Sequence, residues 1–213
     1  MEQRNFRSTG ISLILGGLLI IVTMVLHPSG GDFERIIRIS KTITMAHSLA
    51  ILSLPVLLFG FYGLTLRLMD KWKLSILAFM IIAFGFVAAM FAALYNGLAL
   101  PYFLNQYSES LQDNMRVLGP MAKFSFAINI SLDYIFIVAC CLAIFVYSLI
   151  ILLENKAAKW IGYLGVFITF LSILGGLSDF VFTSLMGFRM FTFCMAVWIL
   201  SNGFCLLRFD FQK

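Results

Sequence analysis

Charge is scarce in this chain. Only 12% of its 213 residues are Asp, Glu, Lys or Arg, against about 25% in a soluble domain, which excludes an ordinary water-facing globule. No basic patch interleaved with exposed aromatics is present, so nucleic acid is not an expected partner. The four cysteines, Cys140, Cys141, Cys194 and Cys205, show no CxxC spacing and fall in apolar runs. They read as small buried hydrophobes rather than as a redox pair. No HExxH stretch and no GxSxG elbow occurs, which removes the motifs of helix-borne zinc hydrolases and of serine hydrolases. Strand-length alternation is absent too, which argues against a membrane β-barrel. Histidine is limited to His27 and His47, both within LHPSGGDFERIIRISKTITMAH.

What the chain does hold is apolar length. Hydrophobic residues make up 62% and the mean hydropathy is +1.00. A hydrocarbon core of about 30 Å takes roughly 20 apolar residues per helix. Runs of that order predict helices at about Gly10 to Leu26, Thr42 to Leu66, Leu74 to Leu100, Phe124 to Leu153, Trp160 to Leu177 and Phe188 to Leu207. The fold class expected is therefore all-α: a polytopic integral membrane protein with a six-helix bundle in one domain. Pro28 with Gly30 and Gly31, Pro101, Pro120 and Gly175-Gly176 are the expected helix breakers. The polar segment PYFLNQYSESLQDNMRVLGP should lie over one membrane face as a short helix or cap. Arg4 and Arg7 before the first apolar run resemble a signal peptide, but Pro28 and the length of the run fit a retained anchor better.

Lysine and arginine set orientation. With the N-terminus in the cytoplasm, inner segments hold Arg4, Arg7, Arg67, Lys71, Lys73, Lys156, Lys159, Arg208 and Lys213. Outer segments hold Arg35, Arg38, Lys41, Arg116, Lys123 and Arg189. The inner excess, with Trp72 and Trp160 beside lysines at headgroup level, places both termini in the cytoplasm and accounts for a net charge of +5. The expected location is the cytoplasmic membrane of a bacterium.

A central charge in lipid costs about 2.5–3.5 kcal/mol on insertion scales, so every polar residue in a span needs a partner or a purpose. On this topology His47 lies about 7 Å inside the outer boundary and Asn96 at similar depth. Ser125, Asn129 and Asp133 recur every four residues and share one helix face. Asp179 and Arg189 stand at the outer ends of the last two helices, and His27 at the outer end of the first. The inner half is almost wholly apolar apart from Ser201 and Asn202. Small residues at Ala88 and Ala92, Ala89 and Ala93, and Ala139 and Ala143 permit close helix approach.

This asymmetry predicts a polar pocket in the outer half, formed by His47, Asp133, Asn129, Asn96, Asp179 and Arg189, that binds a small ligand. Neutral imidazoles at His27 and His47 would suit a metal ion, or haem between two helices. Asp133, as an intramembrane carboxylate, is the strongest single candidate. A small-solute or proton-coupled transporter is the alternative use of the same residues. A third is a non-catalytic subunit that binds lipid, quinone or another membrane protein. Partners in keeping with these readings are membrane lipid, a small molecule, a second copy of the chain or a larger membrane complex. No arrangement of residues fixes a reaction.

Overall fold

The computed structural model describes residues 6–69, 73–154 and 158–211, with backbone alone at 209–211. Among these residues no strand occurs, and six helices are long and apolar enough to cross a membrane. The spans are α1 (Arg7–Leu26), α3 (Ser40–Met69), α4 (Leu74–Ala92) continued by a π segment (Ala93–Ala99) and α5 (Leu100–Asn105), α6 (Leu111–Leu153), α7 (Lys159–Leu177) and α8 (Leu185–Phe211). A six-residue helix, α2 (Phe33–Arg38), connects α1 to α3 and was not expected. Its start is encoded locally: the Asp32 carboxylate accepts the Arg35 amide at 2.9 Å, the usual N-cap bond.

Each span packs on its neighbours in chain order, and α8 returns to α1, so the six helices form a closed ring. The chain is a multi-pass membrane protein, and its outward surface shows why. Leu52, Phe84, Phe124, Tyr163, Phe170 and Leu177 are all exposed there, an apolar area that water would not tolerate. Arg7, Arg67, Lys73, Lys159 and Arg208 lie at one end of the bundle, called here the arginine end. His27, Lys41 and Arg189 lie at the other, the histidine end. Arg4, Lys71, Trp72, Lys156 and Lys213 lie outside the described residues.

Van der Waals fit holds the ring together, because lipid supplies no hydrophobic force between helices. A Cβ on Gly60 of α3 would stand 2.6 Å from Leu13 Cδ2 and 2.8 Å from the Leu13 backbone nitrogen on α1. Between α4 and α6, a Cβ on Gly85 would stand 2.8 Å from that of Ala139. Ala88, Ala92, Ala139 and Ala143 are buried, as their spacing predicts. Ser12 Oγ donates to the Val56 carbonyl at 2.7 Å and adds a polar tie between α1 and α3.

The middle of the ring is filled by aromatic rings from four helices. Phe61 lies 5.9 Å from both Phe86 and Tyr147 and 6.3 Å from Trp198, centre to centre. Their polar atoms are satisfied: the Tyr147 hydroxyl meets Thr65 Oγ1 at 2.7 Å, and Trp198 Nε1 donates to the Ile161 carbonyl at 3.2 Å. Buried hydroxyls in this half, at Thr65 and Thr169, bond to their own helix backbone. So does Asn202, which donates to the Trp198 carbonyl at 2.9 Å.

Three expectations are corrected. Pro101 and Pro120 do not end helices. Pro101 opens α5, and Pro120 lies inside α6, whose 43 residues run to about 65 Å and project beyond a bilayer core. The carbonyl that Pro120 leaves without an amide belongs to exposed Arg116, where water can take it. The segment between the third and fourth spans is thus mostly an extension of α6. Its Leu118 and Ala122 are buried, and Ala122 packs in a small cluster with Ile36, Ile43, Leu100 and Leu104. Of the cysteines, all of them free, only Cys140 is fully buried, and Cys194 is exposed on the outer surface.

Gly60→Ala should lower stability in detergent by about 1–3 kcal/mol, the cost of overpacking a tight contact. Gly176→Ala, where a Cβ meets nothing within 4 Å, should be neutral or stabilising by up to about 1 kcal/mol. Thermal unfolding of the two purified variants checks the pair; equal shifts would contradict the close α1–α3 approach.

Candidate functional site

At the histidine end the aromatic filling stops and a cavity of about 270 Å³ begins. Leu57, Phe86, Phe136 and Met195 form its apolar base, and it reaches the connectors at Pro28, Gly30 and Thr183. Its polar wall brings together His27 from the end of α1, His47 from α3, Asn96 from the π segment, and Asn129 with Asp133 from α6. Asp179 and Arg189 do not line it.

The two histidines meet. Their ring centres are 4.8 Å apart and the planes are inclined by 56°. His27 follows the last turn of α1 in extended geometry (φ −66°, ψ 113°), as a residue before proline should. Its Nδ1 lies 3.1 Å from the Pro28 carbonyl. His47 is 8% exposed, and its Nδ1 lies 2.8 Å from the Ile43 carbonyl one turn earlier. Burial lowers the pKa of His27. The bond to Pro28 raises it and the nearby Arg189 charge lowers it further, with a net value below the ordinary 6.5 and a neutral ring near pH 7.

His47 is seated by a chain of local causes on the facing helix. Pro101 has no N–H to give to the Gly97 carbonyl, its α-helical partner four residues earlier. The backbone there winds as a π segment, and Thr44 Oγ1 reaches across from α3 to the Gly97 carbonyl at 3.3 Å. Gly97 itself has no side chain, and a Cβ there would overlap His47 Cβ and Cγ. Single π turns inside α-helices occur frequently at functional sites.

On α6 the four-residue spacing works as read: Asn129 Nδ2 donates to Asp133 Oδ2 at 2.8 Å. No ion pair joins Asp133 to Arg189 among the described residues, where Arg67 with Glu154 at 3.8 Å is the pair found. Ser125 does not reach the cavity. Arg189 has another task. Its Nη2 donates to the His27 carbonyl at 2.6 Å, placing a cation at the negative end of α1 and tying α8 to it. Asp179 is exposed in the turn after α7 with φ 56°, a left-handed conformation that aspartate tolerates.

Sequence reasoning passed over Thr23 and Gly97. Thr23 is one turn before His27 on α1, lines the cavity, and has a buried hydroxyl without a partner. Its signal was legible as a polar residue at i−4 from a histidine in an apolar run. Gly97 was marked by its neighbours Tyr95 and Asn96.

The chain was compared with protein-family models, with curated proteins and with solved structures, and none of the three gave a match. The geometry of the site therefore carries the functional argument by itself.

If Gly97 exists to seat the imidazole, Gly97→Ala should be destabilising, by about 1–3 kcal/mol. The double variant with His47→Ala should then cost less than the sum of the two single changes, by at least about 0.5 kcal/mol. Thermal or denaturant unfolding of the four proteins tests this, and strict additivity would refute the contact.

Proposed function

We propose that this membrane protein binds a small polar ligand in the cavity at its histidine end. One observation carries the reading: nine polar side chains, His27, His47, Asn96, Asn129 and Asp133 with four hydroxyl residues, line a single cavity inside an otherwise apolar bundle. A packing role alone would favour removing them, since polar groups in hydrocarbon are costly unless they bond to one another or to a guest. Only Asn129 and Asp133 bond to each other, while Asn96 and Thr23 have no side-chain partner among the described residues.

Binding is favoured over passage. Below the cavity, Phe61, Tyr147 and Trp198 are fully buried and packed ring to ring, which fills the space toward the arginine end among the described residues. Haem is disfavoured as the guest. Two imidazoles on opposite faces of one iron, each at a metal–nitrogen distance of about 2 Å, put their ring centres about 6 Å apart, more than the 4.8 Å found. The lysine and arginine distribution supports a cytoplasmic location for both termini, with the cavity facing the other side of a cytoplasmic membrane.

A cysteine in place of Ser53, which lines the cavity, tests access and sidedness together. In proteoliposomes of a variant without native cysteines, a charged, membrane-impermeant thiol reagent should label it from the face opposite the C-terminus only. Labelling from neither face would refute the cavity as a binding site, and labelling from both would favour a transport path. Asp133→Asn supplies a second check. A carboxylate kept for a ligand rather than for the fold should be replaceable with unchanged or higher thermal stability. A loss of several kcal/mol would mark it as structural instead.

A further inference from the structure

The hydrogen bonds of the two imidazoles narrow the class of ligand, on the premise that the cavity is a binding site. A backbone carbonyl can only accept, so Nδ1 of His47, 2.8 Å from the Ile43 carbonyl, and Nδ1 of His27, 3.1 Å from the Pro28 carbonyl, both carry the proton. In the neutral ring Nε2 then holds the lone pair. No donor meets either Nε2 among the described residues. Two adjacent rings are thus each fixed as acceptors, an arrangement that neither relieves for the other. Metal-bound imidazole is built in this way: a backbone carbonyl or carboxylate holds one nitrogen and sets the tautomer, and the other nitrogen faces the ion.

We propose that Nε2 of His27 and Nε2 of His47 together hold one divalent transition-metal ion of the late first row, such as zinc, nickel or copper. A metal–nitrogen distance of about 2.0–2.1 Å puts each ring centre about 3.2 Å from the ion, and centres 4.8 Å apart then subtend roughly 100° at it. That angle lies between square or octahedral and tetrahedral coordination. Among the described residues no third His, Cys, Asp or Glu completes a ligand cluster, so the remaining positions belong to water or to a small ligand. The surroundings suit such an occupant. The Thr23 hydroxyl, buried and unpartnered on the same wall, can bond to a molecule on the ion. The Asp133 carboxylate, in the same cavity, offsets part of the positive charge to which Arg189 beside His27 adds.

The test is metal binding by the full-length protein in detergent, measured by equilibrium dialysis with Zn²⁺, Ni²⁺ and Cu²⁺ and by the absorption spectrum with Co²⁺. One ion per chain is expected, with His27→Ala and His47→Ala each weakening binding by roughly tenfold or more. His47→Gln, which keeps most of the side-chain volume, guards against loss of fold and should weaken binding as well. Wild-type protein that binds no ion would overturn the metal site, as would equal binding by the His27→Ala/His47→Ala double variant. If Ser53→Cys is nevertheless labelled from one face, the cavity still binds a ligand of another class; if it is not labelled, the broader reading fails with it.

Discussion

Hydrocarbon offers no hydrogen bonds, and the arrangement of this bundle depends on that. Each polar group in a span has a partner in its own helix backbone, a partner on a neighbouring helix, or none. The first kind is scattered through the molecule: Thr65, Thr169, Thr192 and Asn202 each return a bond to a carbonyl three or four residues earlier. Among the described residues two buried hydroxyls are left without a partner, Thr23 and Ser148; Thr23 borders the cavity with His27, His47, Asn96, Asn129 and Asp133, whereas Ser148 lies outside it. Bond partner and position at the cavity together, rather than polarity alone, therefore single out these side chains.

The same constraint explains the division of the interior into a sealed half and an open half. Four aromatic rings meet where α3, α4, α6 and α8 face one another, and the indole and phenol find acceptors without water. Nearer the histidine end, the facing positions carry Ala89, Ala92, Ala93 and Ser53 in place of rings, and a volume opens. Small residues thus serve two ends. Gly60 and Gly85 let helices approach, whereas alanines toward the histidine end leave room between helices already set apart by the aromatic layer.

Much of this was legible in the sequence because apolar length and the cost of polar atoms are local properties. The six spans and the shared face of Asn129 and Asp133 follow from counting residues. What counting missed depends on partners far away in sequence. Pro101 looks like a helix end, yet Thr44, 53 residues from Gly97, bonds the carbonyl that the proline leaves, and the helix goes on. Pro120 looks like another, yet its free carbonyl lies in the exposed part of α6. Asp179 and Arg189 have the right depth for the cavity, but depth does not give direction. One is turned out at a left-handed turn, and the other is used to cap α1. That His27 and His47 would touch could not be read from a separation of twenty residues, since the connector α2 decides it.

The position of Arg189 bears on how such a site is kept in shape. The guanidinium bonds the carbonyl of His27, the same residue whose ring forms half of the imidazole pair, so α8 fixes the backbone from which that ring projects. On the other side, Gly97 of the π segment and Thr44 of α3 fix His47. The two rings are therefore held from adjoining arcs of the ring of helices, and their 4.8 Å spacing depends on how those arcs pack. α7 packs more loosely on α8 than the other neighbours do on one another, and it contributes no side chain to the cavity wall. The connector after α7 borders the cavity at Thr183 alone, whereas the histidine pair is tied to α1, α3, α8 and the π segment.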